Sequence, residues 1–299
     1  MTVKANRLGA ARSWLAAARI HHWVKNVLVF VPAAAAKALS DPVVLANAGI
    51  AFVALCLVTS GGYIFNDLLD LASDRAHPTK RHRPFANSDL HATHGVIGAV
   101  LLVGAGVTIG YQWLGLPFLA IQLAYLIGTC WYSLDIKRRA LVDILFLAGL
   151  YTLRILAGSA ATHIEASFWL LAFSMFLFLS LAAAKRSAEL AGVESRSEQR
   201  AAGRGYSVND LPLLLASGIA AAYSSVLVLA LYVFSQATAL YSHAQLLWLL
   251  CPALLYWLSR IWLKAHRRQL QEDPLVFAFT DWPSLVVGLI CLGVVWAAV

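Results

Sequence analysis

The sequence predicts an all-α protein that crosses a membrane about nine times, N-terminus cytoplasmic and C-terminus outside. Three observations carry that prediction. Of 299 residues, 60% are hydrophobic and 13% charged, with a mean hydropathy of +0.71, which excludes a soluble globule, a disordered chain and a collagen-like repeat. Apolar runs lie at about 26–40, 43–65, 90–110, 114–134, 140–160, 166–184, 211–235, 244–263 and 277–298, each long enough to cross a core roughly 30 Å thick, some only with tilt. The connections alternate in character: those at 37–42, 111–116, 160–166 and 236–243 are short and poor in cations, whereas the N-terminal tail, 66–89, 135–139, 185–210 and 264–276 are polar and basic. On this map 21 of the 23 Lys and Arg share one face, counting Arg260 at the basic end of the run 244–263, while Lys37 is alone on the other and Arg154 lies within a span. The positive-inside rule makes the basic face cytoplasmic.

The whole chain, 1–299, reads as one transmembrane domain in the plasma (inner) membrane, with 1–22 a basic cytoplasmic segment. Within it, Leu8, Ala11, Trp14, Leu15 and Ala18 against Arg7, Arg12 and Arg19 suit a helix lying on headgroups; a disordered basic lead-in fits equally well. No short apolar core with a small-residue cleavage site precedes it, so no cleaved signal peptide is expected. The net charge of +8 is accounted for by topology and anionic lipids, and no nucleic-acid partner is expected. Cys56, Cys130, Cys251 and Cys291 sit singly in apolar runs, without ligand spacing, and read as packing residues.

Polar groups beside a membrane concentrate where there is function, and after the second span three of the fifteen acids fall together as Asn66-Asp67-x-x-Asp70-x-x-x-Asp74. If the helix continues, the three carboxylates lie within an arc of about 60° and repel unless a cation neutralises them. Oxygen ligands of this kind suit Mg²⁺, which takes one or two carboxylates together with substrate phosphates, and Asn66 adds a neutral donor. Pro78 then disfavours helix at His77, so a polar loop should return Lys80, Arg81 and Arg83 toward the acids. Carboxylates for a metal and cations for phosphate oxygens are the combination that diphosphate chemistry requires. A solvated helix end followed by topology-setting cations is the plain alternative.

The fourth span ends in Tyr132-Ser133 with Lys137 beyond it, and the fifth begins at Asp143. Asp143 and Arg154 differ by about 20° of rotation and lie roughly 16 Å apart along a helix, so Arg154 is expected to point into a polar cleft; a structural cation satisfied by carbonyls or a hydroxyl is the other reading. The sixth span ends with Lys185, Arg186 and Glu189, where Lys185 and Glu189 suit either an i,i+4 pair or the same cleft mouth.

The Asp-rich segment near the end of the second span, with Tyr132-Ser133 and Lys137 after the fourth, resembles the UbiA superfamily of intramembrane prenyltransferases. The resemblance implies nine helices around a central cavity and an Asp-rich motif, here Asp67, Asp70 and Asp74, that binds Mg²⁺-diphosphate. His77-Pro78-x-Lys80-x-x-Arg83-Pro84, His22-Trp23-Val24-Lys25-Asn26, Arg154-x-x-x-Gly158 and Lys185-Arg186-x-x-Glu189-Leu190 are similar to its decaprenyl-phosphate phosphoribosyltransferase branch, over about residues 20–206. Where aromatic prenyltransferases carry a second Asp-rich motif, this sequence has Lys185, Arg186 and only Glu189.

That branch implies transfer of 5-phosphoribosyl from phosphoribosyl diphosphate (PRPP) to a polyprenyl phosphate, feeding cell-envelope glycan synthesis of the arabinan type. Asp67, Asp70, Asp74, Lys80 and Arg83 would form the catalytic set. Lys25, Asn26, Asn66, Tyr132, Lys137, Asp143, Arg154, Lys185, Arg186 and Glu189 would bind substrate. The bilayer is a partner, and a homo-oligomer is compatible with the sequence. An aromatic or quinone-precursor prenyltransferase is the second reading, and an ion or lipid-phosphate transporter the third.

Overall fold

The structure is a computed structural model that describes residues 2–76, 80–194, 204–235, 241–270 and 273–299. Its α-helices are α1 (Thr2–Ala17), α2 (Val31–Ala35), α3 (Pro42–Leu69), α4 (Leu71–Ala76), α5 (Ala92–Leu134), α6 (Val142–Thr162), α7 (Phe168–Glu194), α8 (Leu211–Ser235), α9 (Leu250–His266), α10 (Pro274–Thr280) and α11 (Trp282–Ala298). No β-strand occurs among the described residues. Asp-Pro pairs start two of the helices: Asp41 accepts from the Val43 amide at 2.8 Å and Asp273 from the Leu275 amide at 3.2 Å. In both, the carboxylate takes an orphan N–H while proline occupies a position that needs none.

Among the described residues, six helices are long and apolar enough to cross a membrane, and α10 with α11, bent by 84°, makes a seventh if counted as one span. Large apolar side chains such as Trp113, Phe168, Phe234 and Trp296 stay exposed. In water such a surface would aggregate; on a polytopic membrane protein it faces lipid, with tryptophan near helix ends at the headgroup level.

Three expected spans differ in form. The first, expected over 26–40, begins earlier, as a 3₁₀ helix over Ile20–Phe30 that passes into α2 and ends at Lys37, whose φ is +56°. The third and fourth expected spans together form α5, which is two helices meeting at Gly115, where φ is +76° and ψ −172°. Only glycine adopts that conformation without strain. Gln122 Nε2 reaches the Gly106 carbonyl at 3.1 Å; sixteen residues of straight helix would separate them by about 24 Å, so the chain doubles back at Gly115.

The chain forms two compact units, Met1–Ser133 with Leu153–Glu165, and Leu134–Thr152 with Ala166–Val299. In the first, α1 is helical, as one of the two readings of the lead-in required, and its end packs into a cluster of Ala17, Ile64, Phe85, Leu90 and Ala99, with Trp14 edge-on to Phe85 at 6.4 Å. The 3₁₀ helix lies against α3. In the second, α7 packs along α8, and α9 packs on both. Trp262 of α9 donates to Ser180 of α7 at 2.9 Å.

Candidate active site

In the first unit the acids are already paired with arginines. Asp67 and Asp74 are 3% and 2% exposed. Arg83 Nη1 donates to Asp67 at 3.0 Å and to Asp74 at 2.7 Å, and Arg19 Nη2 donates to Asp67 at 2.6 Å. α3 ends at Leu69, Asp70 is its C-cap, and α4 restarts at Leu71. The expected continuous helix is therefore interrupted at Asp70, and the turn still sets Asp67 and Asp74 on one guanidinium. Asp70 is partly exposed and accepts from Asn66 Nδ2 at 3.2 Å. Lys80 is exposed in a 3₁₀ turn over Lys80–His82. His77 and Pro78 lie outside the described residues.

Arg19 was not singled out in the sequence, being 48 residues from its partner. Its backbone is left-handed, φ +50° and ψ +51°, an uncommon conformation for a residue with a Cβ. The turn aims the side chain at Asp67, with the guanidinium 4.9 Å from the centre of the Tyr63 ring.

A second group in this unit lies along the 3₁₀ helix. Lys25 and Asn26 are buried. Asn26 contacts Cys56 and Thr59 through Nδ2, each at 3.3 Å, and accepts from Arg154 Nε at 3.0 Å through Oδ1. Arg154 Nη2 donates to Tyr125 at 2.7 Å. Arg154 is thus satisfied by an amide and a hydroxyl, the structural-cation reading, rather than open to a cleft. Gly158, one turn beyond, lies against the Val29 backbone carbonyl, where any Cβ would collide. That explains the Arg154-x-x-x-Gly158 spacing: the arginine grips the 3₁₀ helix and the glycine lets it approach.

In the second unit Arg186 and Asp143 are wholly buried and form an ion pair at 2.7 Å. Arg186 also pairs with Glu189, and Tyr206 donates to Asp143 at 2.5 Å. Asp143 and Arg154, expected to face one cleft, are each engaged within their own unit. Burial and the Asp143 carboxylate push the Tyr206 hydroxyl pKa up. Lys185 does not form the expected i,i+4 pair with Glu189; its Nζ bonds Asp273 at 3.0 Å, and Asp273 also accepts from Tyr151 at 3.2 Å. Lys137 lies in a short 3₁₀ turn over Ile136–Arg138, and Tyr132 is half-buried near the end of α5. Tyr206 and Asp273 were missed because their partners come from distant segments; a buried acid beginning a helix at Asp273-Pro274 was the one local signal.

Among the described residues, no three His, Cys, Asp or Glu side chains are grouped to hold a metal by themselves. The donor chemistry of Asp67, Asp70 and Asp74 fits a hard cation that takes one or two carboxylates and fills its remaining positions with phosphate and water.

A profile described as the UbiA prenyltransferase family matches residues 27–281. The chain is 36% identical over 289 residues to uncharacterized protein y4nM of Sinorhizobium fredii, across 96% of this chain and 56% of that one, so it spans little more than half of that relative. It is 36% identical over 287 residues to nodulation protein NoeC of Azorhizobium caulinodans, across 94% and 91%. It is 38% identical over 186 residues to decaprenyl-phosphate phosphoribosyltransferase of Mycobacterium tuberculosis, across 58% and 59%. The solved UbiA homolog from Archaeoglobus fulgidus bound to DMAPP and Mg²⁺ superposes with a TM-score of 0.72 at 14% identity, over 96% of this chain and 98% of that one; at that identity the likeness concerns the fold. With the profile covering parts of both compact units and one relative matching nearly end to end, the chain belongs to the UbiA prenyltransferase family.

Proposed function

We propose that the protein transfers 5-phosphoribosyl from PRPP to a polyprenyl phosphate and releases diphosphate. The observation that carries this reading is the joining of buried Asp67 and Asp74 through Arg83, with Arg19 on Asp67. Carboxylates that can share a metal and guanidiniums that fit phosphate oxygens in a fork are already assembled there. The choice of donor is supported by the 186-residue similarity to decaprenyl-phosphate phosphoribosyltransferase.

Asp67, Asp70 and Asp74 would hold Mg²⁺, which when bound neutralises charge on the departing diphosphate. Arg83, Arg19 and Lys80 would hold phosphate oxygens and align the sugar, and Lys137 is given a phosphate contact by the resemblance of its motif. The C1–O bond to diphosphate breaks with its electron pair leaving on the diphosphate, and a lipid phosphate oxygen forms the new bond at C1. A phosphate monoester is largely dianionic near neutral pH, its second pKa being about 6. No general base is then needed, and the protein's contribution is neutralisation and alignment. We place the chain in the plasma membrane with nine crossings and the site facing the cytoplasm, and assign its product to glycan synthesis.

Purified protein given labelled PRPP, polyprenyl phosphate and Mg²⁺ should yield a phosphoribosyl lipid in detergent. Absence of that lipid together with prenylation of an aromatic acid would overturn the reading in favour of an aromatic prenyltransferase. Turnover without two compartments argues against obligatory transport.

A further inference from the structure

Lys137 sits on the connection between α5 and α6, and Gly205 and Tyr206 hold the end of that connection. Leu141, at its end, has a left-handed φ of +64°, a conformation that persists in a residue with a Cβ only where its surroundings impose it. The Leu141 amide donates to the Tyr206 hydroxyl at 2.8 Å, and that hydroxyl donates onward to Asp143 at 2.5 Å. Tyr206 is 2% exposed. The preceding residue, Gly205, lies against the Arg138 carbonyl and within 2.7 Å of the Ala140 amide nitrogen, measured from where its Cβ would stand. Asp143 is fixed in turn by Arg186 at 2.7 Å. On the far side of Tyr206, Ser207 and Asp210 form a capping box that starts the helical turn into α8. These attachments of the Gly205-Tyr206 pair lead to the backbone of residues 138–141, to the Asp143 carboxylate and to a capped helix start.

We infer that Tyr206, seated by Gly205, is a positioning residue that sets the turn carrying Lys137 and thereby the phosphate contact made by that lysine. This rests on reading Lys137 as a phosphate contact in the proposed reaction. Tyr206 itself touches no substrate. Its hydroxyl sits between an amide and a carboxylate, a place where phenylalanine fits and leaves both without that partner.

The test compares full-length wild type, Tyr206→Phe, Gly205→Ala, Lys137→Gln and the Tyr206→Phe/Lys137→Gln pair in detergent. Hydrogen exchange at the Leu141 amide should quicken about tenfold in Tyr206→Phe, since a bonded amide becomes free to open locally. The KM for PRPP should rise about tenfold with kcat within about twofold, the pattern of lost binding rather than lost transition-state contact. The double variant should be no worse than Lys137→Gln alone, because the two residues act as one unit. Gly205→Ala, which keeps the hydroxyl and displaces the turn by its methyl, should reproduce the KM change. Unchanged exchange at Leu141, or additive KM effects, overturns the inference. Should wild type make no phosphoribosyl lipid, the substrate reading fails, and the same variants are compared for Mg²⁺-dependent binding of inorganic diphosphate, with additive losses again overturning the inference and non-additive losses upholding it.

Discussion

Arg19 donates to Asp67 at 2.6 Å across 48 residues of sequence, joining the turn after α1 to the end of α3. Arg19→Gln should therefore weaken the site without unfolding the protein. The arginine is 19% exposed, so its stabilising share is discounted for solvent to about 1 kcal/mol. The fall in kcat/KM for PRPP should reach about tenfold, equivalent to roughly 1.4 kcal/mol. A double-variant cycle with Asp67→Asn, read by steady-state kinetics, should show coupling between the two.

Arg83 offers a sharper substitution. One of its nitrogens serves both Asp67 and Asp74, so a guanidinium has further nitrogens to offer phosphate oxygens where an ammonium of equal charge has none. Arg83→Lys should lower kcat/KM by about 10- to 100-fold while the thermal midpoint moves little, since positive charge is kept. Activity equal to wild type would remove the bridge from the mechanism.

Gly158→Ala should act through packing. A methyl there meets the Val29 carbonyl, and shifting the 3₁₀ helix to relieve it disturbs the Asn26–Arg154 bond. Overpacking of this kind costs about 1–3 kcal/mol, readable as a lower thermal midpoint in detergent. Gly149, with open space around its Cβ position, is the control and should accept alanine.

Arg186 and Asp143, expected from sequence to bind substrate, are wholly buried against each other. Arg186→Met alone strands a buried carboxylate and should cost about 3–5 kcal/mol, whereas Asp143→Leu combined with Arg186→Met should recover much of it. Denaturant unfolding of the three variants checks this. A double variant as unstable as the single would show that the pair does more than neutralise itself.

The Tyr206 pKa is raised by burial and by Asp143, so the folded protein keeps that proton after the unfolded chain has lost it. The stability tied to this proton is full below the unfolded tyrosine value of about 10 and declines as pH rises above it toward the folded value. Alkaline unfolding curves of wild type and Tyr206→Phe should differ in slope above pH about 10 and run parallel below it.

The Asp-rich segment was legible because its spacing is local: a helix face over residues 67, 70 and 74 follows from 3.6 residues per turn, and although the helix is interrupted at Asp70, which accepts from Asn66, Asp67 and Asp74 still meet one guanidinium. The apolar runs were legible for the same reason, as was the doubling back between the third and fourth, where Gly115 permits the turn. For Arg154 the sequence leaves a cleft and a structural cation both open, because a helix face says where a side chain starts and not what meets it; Asn26, 128 residues away, meets it. For Lys185 it leaves an i,i+4 pair and a cleft mouth both open, and the lysine bonds Asp273, 88 residues away.

Hydropathy and helical period are properties of neighbouring residues, so the chain read alone shows an all-helical membrane protein of scarce charge and where its acids and cations gather. Which charges cancel one another is settled by packing. Arg19 and Arg83 on Asp67, Arg186 on Asp143 and Lys185 on Asp273 are pairings between distant segments. A charge removed from water must find its counterion in space, and spacing along the chain does not specify which counterion packing will bring.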